Sequence, residues 1–161
     1  MPKAKRPALP SDLLAQIAAA EQVDAETLLD LLREHERQKF VIGIRLDAAR
    51  AADDESRIKT LSAALEQATR YAAYYCEQLK ELGEQAPHYK FAEIEADVVV
   101  NDYLMFVKQR AQIKTQFKAA QHIESKEHME LANTAAVQMQ KYVDYYRPKV
   151  DRIVKSQNGK P

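Results

Sequence analysis

From Ile58 onward, apolar residues recur at alternating steps of three and four: Ile58, Leu61, Leu65, Ala68, Ala72, Tyr75, Leu79 and Leu82. Such steps keep side chains on one stripe of an α-helix, and a stripe sustained over several heptads is the seam along which helices pack on helices. A strand would need a period of two instead. The run therefore predicts a helix from Ile58 to Leu82, roughly 36 Å long at about 1.5 Å per residue, with another helix against it. Lys80-Glu81-Leu82-Gly83 supplies the stop, because Gly83 can take the left-handed position that follows a last helical turn. Pro87 marks a loop, and the next helix is expected to begin near Tyr89 or Lys90.

Two more stripes follow. Val99, Tyr103, Phe106, Arg110, Ile113, Phe117 and Ala120 form one, with Arg110 as its polar member. Met129, Ala132, Ala136, Met139, Val143, Tyr146, Val150 and Ile153 form the other. Between them, from His122 to Lys126, the phase slips, as in a stutter or a break into two helices. Pro148 removes a backbone donor inside the last stripe, which predicts a kink or a helix end near Tyr146.

Upstream the pattern is shorter. Residues 1–10 are basic and proline-rich and read as a disordered arm. Ser11 is a good cap for a short helix with Leu13, Leu14, Ile17 and Ala18 on one side. Gln22-Val23-Asp24 reads as a turn, and Asp24 as the cap of a second helix running from Ala25 to about Lys39, with Leu28, Leu29, Leu31 and Leu32 on its apolar face. Phe40 to Ile44 is either a hinge at Gly43 or a continuation of that helix, and Asp47 to Arg57 is either a solvated helix or a connection. The organisation expected is thus an arm at 1–10, a helical pair at 11–43, a long helical region at 44–155 and a polar tail at 156–161. The fold class is all-α: a short helix-turn-helix-like pair, then a long antiparallel hairpin or bundle with coiled-coil-like seams. Three glycines, no tryptophan and 30% charged residues suit long exposed helices and suit a β-sandwich poorly.

A two-helix hairpin is thin, so a second subunit is expected to cover its seams. Ile58, Leu61, Leu65, Tyr75, Leu79, Phe106, Ile113, Phe117, Met139 and Val143 are the residues expected at that homo-oligomer interface. The tyrosine clusters Tyr71, Tyr74, Tyr75 and Tyr142, Tyr145, Tyr146 suit an interface or ordinary packing between long helices. With a formal net charge of zero, affinity for nucleic acid must come from local patches. The candidates are Lys3, Lys5 and Arg6 on the arm, and Arg33, Arg37 and Lys39 at the far end of the second helix. They would grip the phosphates of double-stranded DNA in a salt-sensitive way. Against this, the would-be recognition helix opens with Asp24, Glu26 and Asp30, and Gln22 stands where the turn usually has glycine. A plain structural hairpin that docks proteins is the alternative.

Chemistry is sparse. Glu124 and His128 could share a helix face near His122 and Glu127, but the paired Glu-x-x-His of a di-iron bundle is missing. Asp53-Asp54-Glu55 lacks the glycine of a calcium loop, and Cys76 reads as a small packed side chain. There is no phosphate-cradling glycine loop and no nucleophile elbow. These readings predict a non-enzymatic protein without cofactor or metal. A single cysteine, no apolar run after the basic start and no long uncharged apolar stretch predict a cytoplasmic protein that does not enter membranes.

Ala135-Ala136, followed by Tyr145-Tyr146-Arg147-Pro148-Lys149-Val150, resembles the ending of some phage small terminase subunits, where an alanine-rich helix runs into an aromatic, a basic residue, proline and another basic residue. The layout of a small N-terminal helical unit and a long helical hairpin is similar too, while the missing turn glycine and the acidic second helix depart from the pattern. The resemblance implies a ring-forming DNA-packaging subunit in a phage-infected bacterial cell, working beside a larger ATPase-nuclease motor.

Overall fold

The computed structural model describes residues 11–159. Within them the chain forms α1 (Ser11–Glu21), α2 (Ala25–Ala51), α3 (Glu55–Glu81), α4 (Ala92–His122) and α5 (Lys126–Asn158), and no strand. The all-α expectation holds. Helices α2 and α3 pack as one antiparallel hairpin and α4 and α5 as another, and the end of α2 lies against both α4 and α5. None of the described helices is long and apolar enough to cross a membrane.

The two hairpins turn in the same way. After α2, Asp53 takes a left-handed φ of 51°, and Asp54 donates its N–H back to Ala49 O (3.0 Å) while its side chain accepts from Arg57 N. After α4, Glu124 takes a φ of 57°, Ser125 N bonds Ala120 O (3.0 Å), and the Ser125 side chain caps His128 N. Each turn closes one helix and opens the next within three residues, satisfying orphan carbonyls and amides together. The phase slip between the second and third stripes is therefore a break into two helices. At the end of α3, Gly83 takes a φ of 75° and Glu84 N bonds Leu79 O (2.9 Å), the glycine stop expected.

Three boundaries differ from expectation. Helix α2 does not end near Lys39 but continues to Ala51, so the break expected at 43/44 falls inside a helix. Gly43 is not a hinge, and nothing lies within 4 Å of where its Cβ would stand. The apolar patch from Phe40 to Ile44 marks where α2 passes from a single neighbour, α3, toward the second hairpin; Phe40 meets Phe91 and Ile44 joins the central core. The loop after α3 is longer than expected, and α4 begins at Ala92 rather than at Tyr89 or Lys90, because Tyr89 is spent on α2: its hydroxyl donates to Leu29 O (3.1 Å). Finally, α5 runs through Pro148 to Asn158, taking in the start of the expected tail. Pro148 and Asp144, the residue whose carbonyl it leaves without an amide, are both exposed, so water can take that carbonyl.

The core lies where the hairpins overlap. Ala48 and Ala49 of α2 and Ala52 just after it meet Val99 and Phe106 of α4 and Tyr142, Val143 and Tyr146 of α5, with Ile58 and Leu61 of α3 against them. Phe106 stacks nearly parallel on Tyr142 with ring centroids 4.1 Å apart, and the Arg57 guanidinium sits over both rings. A second cluster, Leu28, Leu32, Ala72 and Leu79, closes the far end of the first hairpin under Ala86 and Tyr89. Beyond the overlap the second hairpin projects alone, which leaves the molecule elongated.

Candidate interaction surfaces

One buried charge organises the overlap. Asp102 of α4 is 5% exposed and accepts from Arg45 of α2 (3.1 and 3.3 Å) and from the Tyr146 hydroxyl of α5 (3.1 Å). Beside it Tyr142 donates to Asp54 (2.7 Å), and Gln138 donates to Ala52 O at the α2–α3 turn (2.6 Å). Every one of these bonds crosses from one hairpin or helix to another, so together they set the register of the two hairpins. No buried side-chain nitrogen or oxygen among the described residues lacks a partner. An interior so completely satisfied holds the two hairpins in one arrangement and acts as a lock.

The tyrosines give this lock a pH signature. Burial, with Asp54 as neighbour, pushes the Tyr142 phenol far above its usual 10.0, and burial, with Asp102, does the same to Tyr146. A phenol that keeps its proton when folded but releases it near 10 when unfolded stabilises the fold below pH 10 and loses that stabilisation as pH rises further. Stability should therefore fall above pH 10 by up to about 1.4 kcal/mol per pH unit for each tyrosine. Urea titrations across the alkaline range should show this slope, and Tyr142→Phe/Tyr146→Phe should flatten it.

Of the surface residues expected to bind DNA, the described ones lie on α2 among carboxylates. Arg37 pairs with Glu34 (3.3 Å) and Lys39 with Glu36 (3.3 Å), while Arg33 stands exposed one turn from Asp30. The Arg37 guanidinium also holds Glu34 below the usual carboxylate range. Lys3, Lys5 and Arg6 lie outside the described residues. The helical pair exists in sequence, with Asp24 capping α2 through Thr27 N (2.9 Å), but α1 packs on none of the other helices. The buried Leu28 and Leu32 of α2 face Ala72 and Leu79 of α3 instead.

The residues expected at an oligomer interface divide in two. Ile58, Leu61, Phe106, Met139 and Val143 are spent in the central core, and Tyr75 and Leu79 in the second cluster, all within one chain. Leu65 is half-buried. Ile113 and Phe117 are half-buried and line an open groove on the bare part of the second hairpin, with Ala132 and Ala136 opposite and Lys114 and Lys118 on the rim. On the other face of the same hairpin, Ile123 and Leu131 are 68% and 61% exposed beside Ala120 and Ala135. At the opposite end of the molecule α1 exposes Leu13, Leu14 and Ile17, followed by Val23 at 60%. These uncovered apolar surfaces are the candidate sites.

The weaker chemical candidates resolve locally. His128 shares its Nδ1 with Ser125 Oγ (2.6 Å) at the start of α5, and His35 sits against Tyr71 and Tyr75 with its Nδ1 on Leu31 O (2.8 Å). Cys76 packs on the second cluster. Among the described residues no three His, Cys, Asp or Glu side chains gather as a metal ion would require. Asp102 and Tyr142 were not singled out by the stripes, although Asp102 stands three residues after Val99 and four before Phe106. Compared with known proteins, the chain matches no protein-family model, no curated protein and no solved structure.

Proposed function

We propose that this chain is a non-catalytic helical adaptor that works by docking other protein chains on the uncovered ends of its two hairpins. The observation that carries this reading is the contrast between a closed interior and open ends. Every buried polar side-chain atom described is satisfied, whereas α1 offers Leu14 (51% exposed) and Ile17 (40%) to solvent without packing on any other described helix. Contiguous apolar surface of this kind marks protein contacts. Leu31, 37% exposed on α2, extends the same end, while Leu28 belongs to the core. A photo-crosslinking residue placed at Leu14 or Leu31 in the full chain is expected to capture protein at discrete masses, and Ile17→Asp to abolish capture. No protein adduct from either position would overturn the reading.

A second reading, engagement of double-stranded DNA as in a small-terminase-like packaging subunit beside a motor, draws support from α4. From Tyr103 to Ile123 that helix carries Lys108, Arg110, Lys114 and Lys118 and no Asp or Glu. This reading moves DNA contact to α4 and away from Arg33, Arg37 and Lys39. It predicts that log K falls with log salt by about 0.9 for each of these cations that meets a phosphate.

A further inference from the structure

Helix α1 is 11 residues long and packs on no other described helix. Helices shorter than about 12–15 residues are marginal in water on their own, and α1 has exposed Leu13, Leu14 and Ile17 besides. Its charges are Asp12 and Glu21, with no Lys or Arg, and the acidic run continues through Asp24, Glu26 and Asp30. The bare part of the second hairpin is its counterpart in shape and charge. The groove between Ile113 and Phe117 of α4 and Ala132 and Ala136 of α5 encloses about 370 Å³, carries Lys114 and Lys118 on its rim, and has no carboxylate among its lining residues.

These two surfaces cannot meet within one chain. Helix α2 runs antiparallel to α5, with Ala52 level with Gln138 and Arg45 level with Tyr146, so α1 lies beyond one end of the overlap and the groove beyond the other. Measured along the helix axes they are roughly 50 Å apart at about 1.5 Å per residue. The three residues Gln22 to Asp24 span about 10 Å at most, and α1 itself adds roughly 16 Å. A second molecule has no such restriction.

We propose that α1 of one copy docks in the Ile113–Phe117 groove of the next, a step that rests on the docking reading above and names its first partner as this chain itself. Leu13, Leu14 and Ile17 enter the groove, and Glu21, one turn beyond Ile17 on the same side of α1, meets Lys114 and Lys118. Lys3, Lys5 and Arg6 precede α1 in the sequence, so the orientation that sets Glu21, rather than Asp12, over the lysines is the favoured one. The contact joins two different surfaces, so each copy keeps one free donor and one free acceptor. Successive contacts close a ring or extend a filament.

The test uses the full chain and exposed positions only, so that folding is not at stake; a thermal melt confirms it. Light scattering should give a mass that rises with concentration above the 18.4 kDa of one chain. That rise should weaken as salt goes from about 0.1 M to about 1 M, where the screening length shrinks from about 10 Å to about 3 Å. Leu14→Asp/Ile17→Asp removes the donor and Lys114→Glu/Lys118→Glu the acceptor, and each variant alone should remain monomeric. Mixed together they should form a complex of two chains and nothing larger, since one intact donor and one intact acceptor remain. Adding Asp12→Lys/Glu21→Lys to the lysine variant should restore assembly. A full chain that stays monomeric, or a mixture that yields no pair, overturns self-docking while leaving capture of other proteins at Leu14 standing. If the lysine variant assembles normally and loses only duplex DNA binding, the groove proposal fails and the cations belong to nucleic acid.

Discussion

Phe106→Ala is expected to destabilise the chain by about 3–5 kcal/mol. Phe106 is 1% exposed, stacks on Tyr142 at 4.1 Å, and lies 5.8 Å from the Tyr146 ring. Truncation removes the apolar transfer term and leaves a cavity floored by aromatic faces that are held in place by Asp54 and Asp102, so they cannot collapse inward. It also strips the Arg57 guanidinium of one of its two aromatic partners. Against a total stability of about 5–15 kcal/mol, this is a large share. At about 2–4 °C per kcal/mol for a chain of this size, the melting temperature should drop by roughly 6–20 °C. The contrast lies on the same helix: Phe117→Ala, in the half-buried groove, should cost well under half as much. Equal losses at the two positions would mean that the bare end is packed as tightly as the overlap.

Asp102→Ala should have the next largest effect, about 2–3 kcal/mol. The loss comes mainly from the Tyr146 hydroxyl, on a side chain with 0% exposure, which is left without an acceptor at about 1–3 kcal/mol. Arg45 contributes less. Its side chain is 40% exposed and can be hydrated once the carboxylate is gone, so the cost stays below the 3–5 kcal/mol typical of breaking a fully buried pair. Asp102→Asn keeps an acceptor and should cost less than alanine. Tyr146→Phe in the Asp102→Ala background should recover part of the loss, because the orphaned hydroxyl is removed with it. Urea denaturation of these three variants and of Tyr146→Phe alone measures this, and strict additivity of Asp102→Ala and Tyr146→Phe would show that the bond does not contribute.

These two residues also mark what could be read in the sequence and what could not. The heptad steps located α3, α4 and α5, the Gly83 stop and the Asp24 cap, because those signals are local and need only one helix to be visible. Phe106 and Val143 were visible as seam residues; that their seam is closed by this chain's own α2 was not, since periodicity shows that a stripe meets a helix but not whose helix it is. Asp102 was passed over because a carboxylate beside a stripe ordinarily faces water. Only the fold brings Arg45, 57 positions away in sequence, to its side. Pro148 does not end the helix: a lost amide costs most when its carbonyl is buried, and Asp144, the residue concerned, is exposed. The basic residues Arg33, Arg37 and Lys39 were read without their neighbours Glu34 and Glu36, which pair with Arg37 and Lys39 in the fold.

The central claim is that a locked overlap carries two ends built to be covered by other chains. Hydrogen exchange of the full chain over a series of protein concentrations tests it most directly. The account predicts that amides around Ala49, Phe106 and Val143 are protected equally at every concentration, while those of α1 and of the groove flanked by Ile113 and Ala132 gain protection together as concentration rises. Protection of α1 that is already complete in the dilute chain, or ends that stay unprotected and concentration-independent throughout, would contradict it.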